Sequence, residues 1–229
     1  MEGTKPTVQF LDPNRFPAAS HLPRHKNTSE KPPKYHALRS IFVGQLLTVQ
    51  KWTPEGYHTR LLVQDKKGER LTIGLSFPQD SRGSMIISCL EGGQTVLILD
   101  ANIQNLLSNQ PGIEVRDVNR IKVLPLDIRS FSRLNKIFVE CNTFQEGLAC
   151  YGCKRRFHPN DKRGLNACRQ CSLVSICRKC RKKGIAEMGH QEDCAVLSDP
   201  DIRAMLTADW DLFEGGFRGA YLGDPGSTR

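Results

Sequence analysis

The sequence predicts an α+β chain: a small antiparallel β-barrel followed by a C-terminal metal-binding module. Between residues 35 and 125, apolar residues recur at period two in short runs separated by turn residues, with one helical interruption. Between residues 150 and 194, seven cysteines and one histidine follow the pattern C-x2-C-x14-C-x2-C-x5-C-x2-C-x9-H-x3-C. The length, 229 residues with 38% hydrophobic and 25% charged, leaves room for one ordinary globular domain and one small one.

Residues 1–34 carry six prolines, six basic and three acidic residues, and little apolar periodicity. Such a stretch buries too little apolar surface to offset the entropy of ordering, so it reads as a mostly disordered arm. Its apolar patch at residues 8–11 is suited to dock on the neighbouring domain. Strands begin after Tyr35. The run 41–52 is apolar and β-branched, and Pro54-Glu55-Gly56 turns the chain. Tyr57, Thr59, Leu61 and Val63 alternate with His58, Arg60, Leu62 and Gln64. Asp65-Lys66-Lys67-Gly68 makes a hairpin turn into a third strand built on Leu71, Ile73, Leu75 and Phe77. A short helix is expected over 84–90, ended by Gly92-Gly93. The strongly apolar run 94–99 is a fourth strand, and 112–124 a fifth, with an interruption near Asp117.

Three strands, a helix and two strands is the order of a five-stranded Greek-key barrel of the OB type; a six-stranded sheet or another small barrel is the alternative. Ile128, Phe131, Leu134 and Phe138 stand at helical spacing and predict a helix within 126–149 linking barrel to module. Cys89 and Cys141 lie outside the ligand pattern and read as core thiols. After Cys194, Asp199-Pro200-Asp201 opens a helix running to Ala208, followed by an acidic, aromatic stretch suited to cover the module and then a glycine-rich tail. The expected domains are thus 1–34 arm, 35–125 barrel, 126–149 linking helix, 150–194 finger, and 195–229 short helix and tail.

The cysteine pattern has a direct chemical meaning. A C-x2-C step brings two thiolates onto one ion through a tight turn, and H-x3-C supplies a matching half-site one helical turn apart. Eight ligands in 45 residues are enough for two tetrahedral zinc sites with none left over. Disulfides are the competing use of cysteine. They belong to oxidising compartments, and the polar, proline-rich start of the chain does not look like a secretory signal. Reduced cysteines point instead to the nucleus or cytoplasm. Spacing alone leaves the pairing open. The ligation is either sequential, first four then last four, or interleaved.

The order and spacing of Cys150/Cys153, Cys168/Cys171, Cys177/Cys180 and His190/Cys194 resemble the MYND zinc finger family. The resemblance covers about a fifth of the chain. It implies a cross-braced finger in which Cys150, Cys153, Cys177 and Cys180 hold one zinc and Cys168, Cys171, His190 and Cys194 hold the other. Ile176 replaces the family's usual aromatic, and only Arg178 and Lys179 separate the fifth and sixth cysteines. Arg181 and Glu187 stand where the family often carries Gln and Trp. Those two residues help form the family's groove for proline-containing peptides, so the resemblance carries over the metal sites and not that specificity. His158, in the long loop of 154–167, is a spare histidine whose plainer reading is a solvated one.

Charge and motifs bound the function. The formal charge of +9 falls to about +6 once seven thiolates and two dications are counted. Residues 150–194 hold eleven Lys/Arg against four Asp/Glu, whereas residues 35–149 are almost balanced at thirteen against eleven. The basic finger suits a phosphate or acidic partner, or simply compensates its own thiolates. No apolar run approaches the ~20 residues of a membrane helix. No HExxH, glycine-rich phosphate loop or GxSxG motif is found, and no small-molecule substrate is evident. Two structural zinc ions and a non-enzymatic role docking a protein partner are therefore expected. Nucleic-acid binding is the alternative, using Trp52, Arg60, Lys66, Lys67 and Arg70 on the first barrel strands.

Overall fold

The computed structural model describes residues 10, 12–24, 40–51, 59–76, 81–106, 110–142, 148–157, 164–183, 189–207 and 217. The architecture is mixed α+β. β1 (Ile41–Lys51), β2 (Thr59–Asp65) and β3 (Arg70–Leu75) form an antiparallel meander. Helix α1 (Ser81–Cys89) comes next, then β4 (Thr95–Leu99), which returns to pair with the far side of β1. A short β5 (Gln104–Asn105), β6 (Pro111–Val115) and β7 (Ile121–Leu124) complete a seven-stranded sheet of order β5-β6-β3-β2-β1-β4-β7.

The expected barrel is antiparallel, its last strand interrupted near Asp117. The structure places a break there and adds a parallel pair. Asp117 accepts a hydrogen bond from the Asn119 amide (2.9 Å) and caps a short 3-10 turn over Val118–Arg120. That turn splits the run 112–124 into β6 and β7. β6 pairs in parallel with β3, and β7 pairs antiparallel with β4. The hydrogen-bonded ladder of the described residues is therefore open. Edge strand β7 is nevertheless tied by the five residues 116–120, which span about 20 Å at most, to β6 beside the opposite edge, so the sheet must curl. Gly112 allows the parallel pair to form: a Cβ there would stand 2.6 Å from the Thr72 carbonyl oxygen.

Period-two alternation sends the strands into two separate cores. Phe42, Leu46, Leu61, Val63, Ile73, Leu75, Val96, Ile98, Ile113, Val115, Ile121 and Val123 fill the concave interior, with Ile86 of α1 packed among them. The intervening residues Ile41, Val43, Leu97, Leu99 and Leu124 point outward and are equally buried. β4 is buried at every position, which explains its uninterrupted apolar run.

What covers the outer face is the rest of the chain. Helix α2 (Ile128–Asn142) presents Phe131, Leu134 and Phe138 to it, close to the expected helical stretch. The N-terminal segment adds Phe10 and Phe16. Composition predicts this arm to be disordered, yet it is ordered from residue 12 to residue 24. Hydrogen bonds hold it: the Ala19 amide donates to Asp65 Oδ2 (2.8 Å), Ile41 N to Arg15 O (2.7 Å), and Phe10 N to Asn135 Oδ1 (2.6 Å). Two buried phenylalanines and a network on the β2–β3 turn offset an ordering cost that composition alone cannot weigh.

The C-terminal part joins the same outer core. It contains two short hairpins, β8 (Leu148–Ala149) with β9 (Arg156–Phe157) and β10 (Leu165–Ala167) with β11 (Ser175–Cys177). Helices α3 (Arg178–Lys183), α4 (His190–Ser198) and α5 (Pro200–Thr207) complete it. Leu197, Ile202, Met205 and Leu206 pack into the outer layer. Lys122, on the outward face of β7, is fully buried and donates to Asp199 Oδ2 (2.8 Å) and Asp201 Oδ2 (3.0 Å). Asp199 also accepts from the amides of Asp201 and Ile202 at the start of α5. A buried ion triad thus ties the sheet to the α4–α5 corner. Among the described residues no helix is long and apolar enough to cross a membrane.

Candidate metal centre

The first two C-x2-C steps are built the same way. Lys154 N donates to Cys150 O and Ser172 N to Cys168 O, both at 2.9 Å. The residue after each second cysteine adopts a left-handed backbone, Lys154 at φ 59° and Ser172 at φ 58°. Few non-glycine residues accept this conformation, and its use twice at equivalent positions marks two copies of one knuckle. Cys177 ends β11 and Cys180 lies in α3, forming the third step. His190 and Cys194 lie one turn apart on α4. The knuckles are interlocked through the backbone, because Tyr151 N donates to Ser175 O (2.8 Å) between them.

The side chains converge in two groups of four. Cys150, Cys153, Cys177 and Cys180 form one; Cys168, Cys171, His190 and Cys194 form the other, with all ligand atoms of a group within 4.8 Å of one another. This is the interleaved grouping. Ligands about 2.3 Å (sulfur) and about 2.0 Å (imidazole nitrogen) from a tetrahedral zinc stand about 3.8 Å (S···S) and about 3.6 Å (S···N) apart. Cys153 Sγ and Cys177 Sγ are 3.9 Å apart, Cys168 Sγ and Cys194 Sγ 3.7 Å, and Cys171 Sγ and His190 Nε2 3.7 Å. The donor sets fit zinc in identity, number and spacing. Seven of the eight ligand residues are buried and Cys153 is exposed.

Proton preferences differ within each group. Burial raises Cys150, but backbone N–H groups of Cys153, Cys177 and Gly152 outweigh it and bring the thiol down to about 7. Burial, with the hydrogen bonds of its neighbouring cysteines, pushes Cys180 up to about 12. In the second group, burial opposes and the amides of Cys171 and Gln170 achieve a lowering of Cys168. Cys194 is pushed up to about 12, by burial first and then by Cys168 and Cys171. Burial lowers His190, favouring the neutral imidazole that ligates metal. The remaining thiols must release protons to bind, so metal loading couples to proton release.

A network that the sequence does not announce supports the second group. Tyr151 lies against the His190 ring, with centroids 4.6 Å apart, and its hydroxyl donates to Asp193. Asp193, beside Cys194, also receives both Arg133 Nη atoms from α2 at 2.9 and 2.6 Å. Burial raises the Asp193 carboxyl, but Arg133 and Tyr151 outweigh it and keep it below the usual carboxylate range. The helix read as a mere linker is thereby bonded to the metal-bearing helix. Cys141 is buried in the outer core and Cys89 is half-buried; neither joins a ligand group. His158 lies outside the described residues.

Of the expected nucleic-acid residues, Lys66, Lys67 and Arg70 fall at the β2–β3 turn and Arg60 further along β2. Trp52 lies outside the described residues. Lys66 donates to the Phe10 and Phe16 carbonyls (2.9 and 2.6 Å), which fixes the N-terminal segment. Arg60 sits opposite Gly74, while Arg70 sits opposite Gln64, four strand residues or about 14 Å further along β2. Lys67 is exposed in the β2–β3 turn and Arg70 at the start of β3. Sequence reasoning missed Lys122, Asp199, Asp201, Arg133, Tyr151 and Asp193. The available signal was a lysine inside a fully apolar strand, which demands buried partners.

No family model matches the sequence, and no curated protein matches it significantly. Among solved structures, the chain is similar to Schizosaccharomyces pombe Pot1pC bound to ssDNA, at 12% identity and a TM-score of 0.33, covering 52% of this chain and 98% of that one. It is similar to a chain of the S. pombe Stn1–Ten1 complex at 20% identity and a TM-score of 0.29, covering 43% and 74%. A replication protein A heterotrimer bound to ssDNA gives 12% identity and a TM-score of 0.28, covering 46% and 80%. The likeness is loose at these scores and says nothing about what this chain binds.

Proposed function

We propose that this chain is a zinc-dependent, non-enzymatic interaction protein. The observation that carries this reading is the pair of ligand groups, each offering four protein donors to one ion. With every tetrahedral position taken by protein, no place remains for a metal-bound water or substrate, so the ions would be structural. Cys150, Cys153, Cys177 and Cys180 would hold one zinc and Cys168, Cys171, His190 and Cys194 the other. The interleaved grouping supports kinship with MYND fingers, and the strand order β3-β2-β1-β4 with its helix between β3 and β4 supports an interrupted barrel of the OB type. The partner is a macromolecule bound at the surface. The MYND resemblance favours protein; the run of cations around the first ligand group favours a polyanion.

Zinc per chain, counted by native mass spectrometry, tests this. Two ions on the wild type and a loss in Cys153→Ser are expected. One ion or none on the wild type overturns the reading.

A further inference from the structure

Resting on that reading, we infer that the groove beside the first ligand group binds single-stranded nucleic acid, with the finger rather than the sheet as the contact surface. The groove, about 480 Å³, is lined by Phe157, Cys153, Cys177, Arg155, Arg178 and Lys179. It is lined by a half-buried aromatic ring, Phe157, and by the sulfur edge of the ligand group. Its rim is cationic, with Arg155, Arg178 and Lys179 all exposed. The Arg155 guanidinium lies over the Phe157 ring, 5.5 Å from its centroid, so two flat stacking surfaces sit together at the mouth.

The charge is not confined to the rim. The thiols of Cys153 and Cys177 are 3.9 Å apart, so the segments after them flank one cluster. Lys154 and Arg156 on one segment, and Arg181 and Lys182 on the other, are exposed. The described residues of 148–157 and 164–183 hold nine Lys/Arg and no Asp/Glu. With zinc bound, the four-thiolate group carries about −2 and the three-thiolate group about −1, so compensation accounts for about three of these cations. The rest form an anion-binding field.

A short acidic peptide would satisfy the three rim cations but leave the flanking ones unused. A repeating phosphate chain uses the whole set. A base of a single strand can leave its stack and lie on Phe157 and Arg155, whereas a duplex cannot offer its base faces. These features together commit the groove to a single strand.

The test is fluorescence anisotropy of labelled single-stranded DNA and RNA of about 12 nucleotides, titrated with the full chain after native mass spectrometry has confirmed two zinc ions. Saturable binding is expected, with log K falling against log salt at a slope of about −2 or steeper. Arg155→Ala/Arg178→Ala/Lys179→Ala should keep both zincs, weaken binding at least about tenfold and flatten the slope by about 2, at roughly 0.7 per phosphate. Phe157→Leu should weaken binding with the slope unchanged. Lys67→Ala/Arg70→Ala should change nothing. A flat titration with zinc-loaded protein, a triple variant equal to wild type, a duplex bound as tightly as the single strand, or polyglutamate displacing the oligonucleotide at equal charge concentration would each overturn the inference. A zinc count below two on the wild type would instead overturn the reading on which it rests.

Discussion

The two cores of this molecule are built on opposite principles. The interior of the curled sheet is closed by aliphatic and aromatic side chains from its own strands and α1, most of them fully buried. Its stability comes from apolar area removed from water, spread over many residues. The outer core is assembled from Phe10 and Phe16, three positions of α2, the outward faces of β1, β4 and β7, and the cysteines themselves. Its fixed points are polar: two ligand groups, the Lys122–Asp199–Asp201 triad and the Arg133–Asp193–Tyr151 network. The first core degrades gradually under substitution. The second depends on a few electrostatic centres, any one of which can fail outright.

Removing the metal should separate the two most sharply. Structural zinc contributes about 10–16 kcal/mol of apparent binding energy in isolated fingers, more than a typical domain's whole stability. A chelator, or Cys171→Ser, should unfold residues 148–207, while amides of β2 and β3 keep their hydrogen-exchange protection. β7 and α2 should lose part of theirs, because their outer face packs on the finger. If every amide exchanged in a single transition, the interior core would have no independent stability and the comparison would break.

The next largest effect is expected at Lys122. Lys122→Ala leaves two carboxylates, 1% and 4% exposed, without their cation. Breaking a buried pair in this way costs about 3–5 kcal/mol, much of it the uncompensated charge left behind. Adding Asp199→Asn and Asp201→Asn to Lys122→Met should recover much of the loss, as thermal melts of the variants would show. A lysine truncation costing under about 1 kcal/mol would mean that water reaches the triad and that the sheet and finger are not sealed together.

How much of this was legible depends on which interaction builds each part. The strands, α1, α2 and the start of α5 come from period and turn chemistry, which are local. The set of eight ligands comes from cysteine spacing, because metal chemistry dictates ligand type, whereas its division into two groups came only with the MYND resemblance. The split of the last strand rests on one side-chain cap at Asp117, and only the break near it could be read. Phe10 falls in the patch at 8–11 expected to dock, whereas Phe16 was hidden by the prolines around it, its segment being held through Ala19 on a turn at Asp65, 46 residues away. Lys122 and Asp193 find their partners 42 to 79 residues along the chain, beyond any periodicity. Lys66, expected at a nucleic-acid surface, holds the Phe10 and Phe16 carbonyls, partners 56 and 50 residues away that no local pattern pairs with it.

The smallest effect concerns the knuckles, where the finger stores backbone strain. Ser172 holds φ 58° with an exposed side chain, a conformation that costs a non-glycine residue about 1–2 kcal/mol. Ser172→Gly removes that strain but enlarges the unfolded ensemble by about 0.4–1 kcal/mol, so a net gain of about 0–1.6 kcal/mol is expected. Ser172→Val should lose stability, because a β-branched side chain fits a positive φ worst. Lys154 occupies the same place in the other knuckle, at φ 59°, but its ammonium lies 5.0 Å from the Tyr151 ring centroid. Lys154→Gly therefore gives up a cation–π contact of about 0.5–1 kcal/mol together with the strain, and should come out close to neutral. Chelator midpoints for the three variants measure the difference. Equal gains at both positions would show that the Lys154–Tyr151 contact adds nothing. A loss with either glycine would show that the left-handed turn is not strained and that zinc, rather than the turn, sets the knuckle's shape.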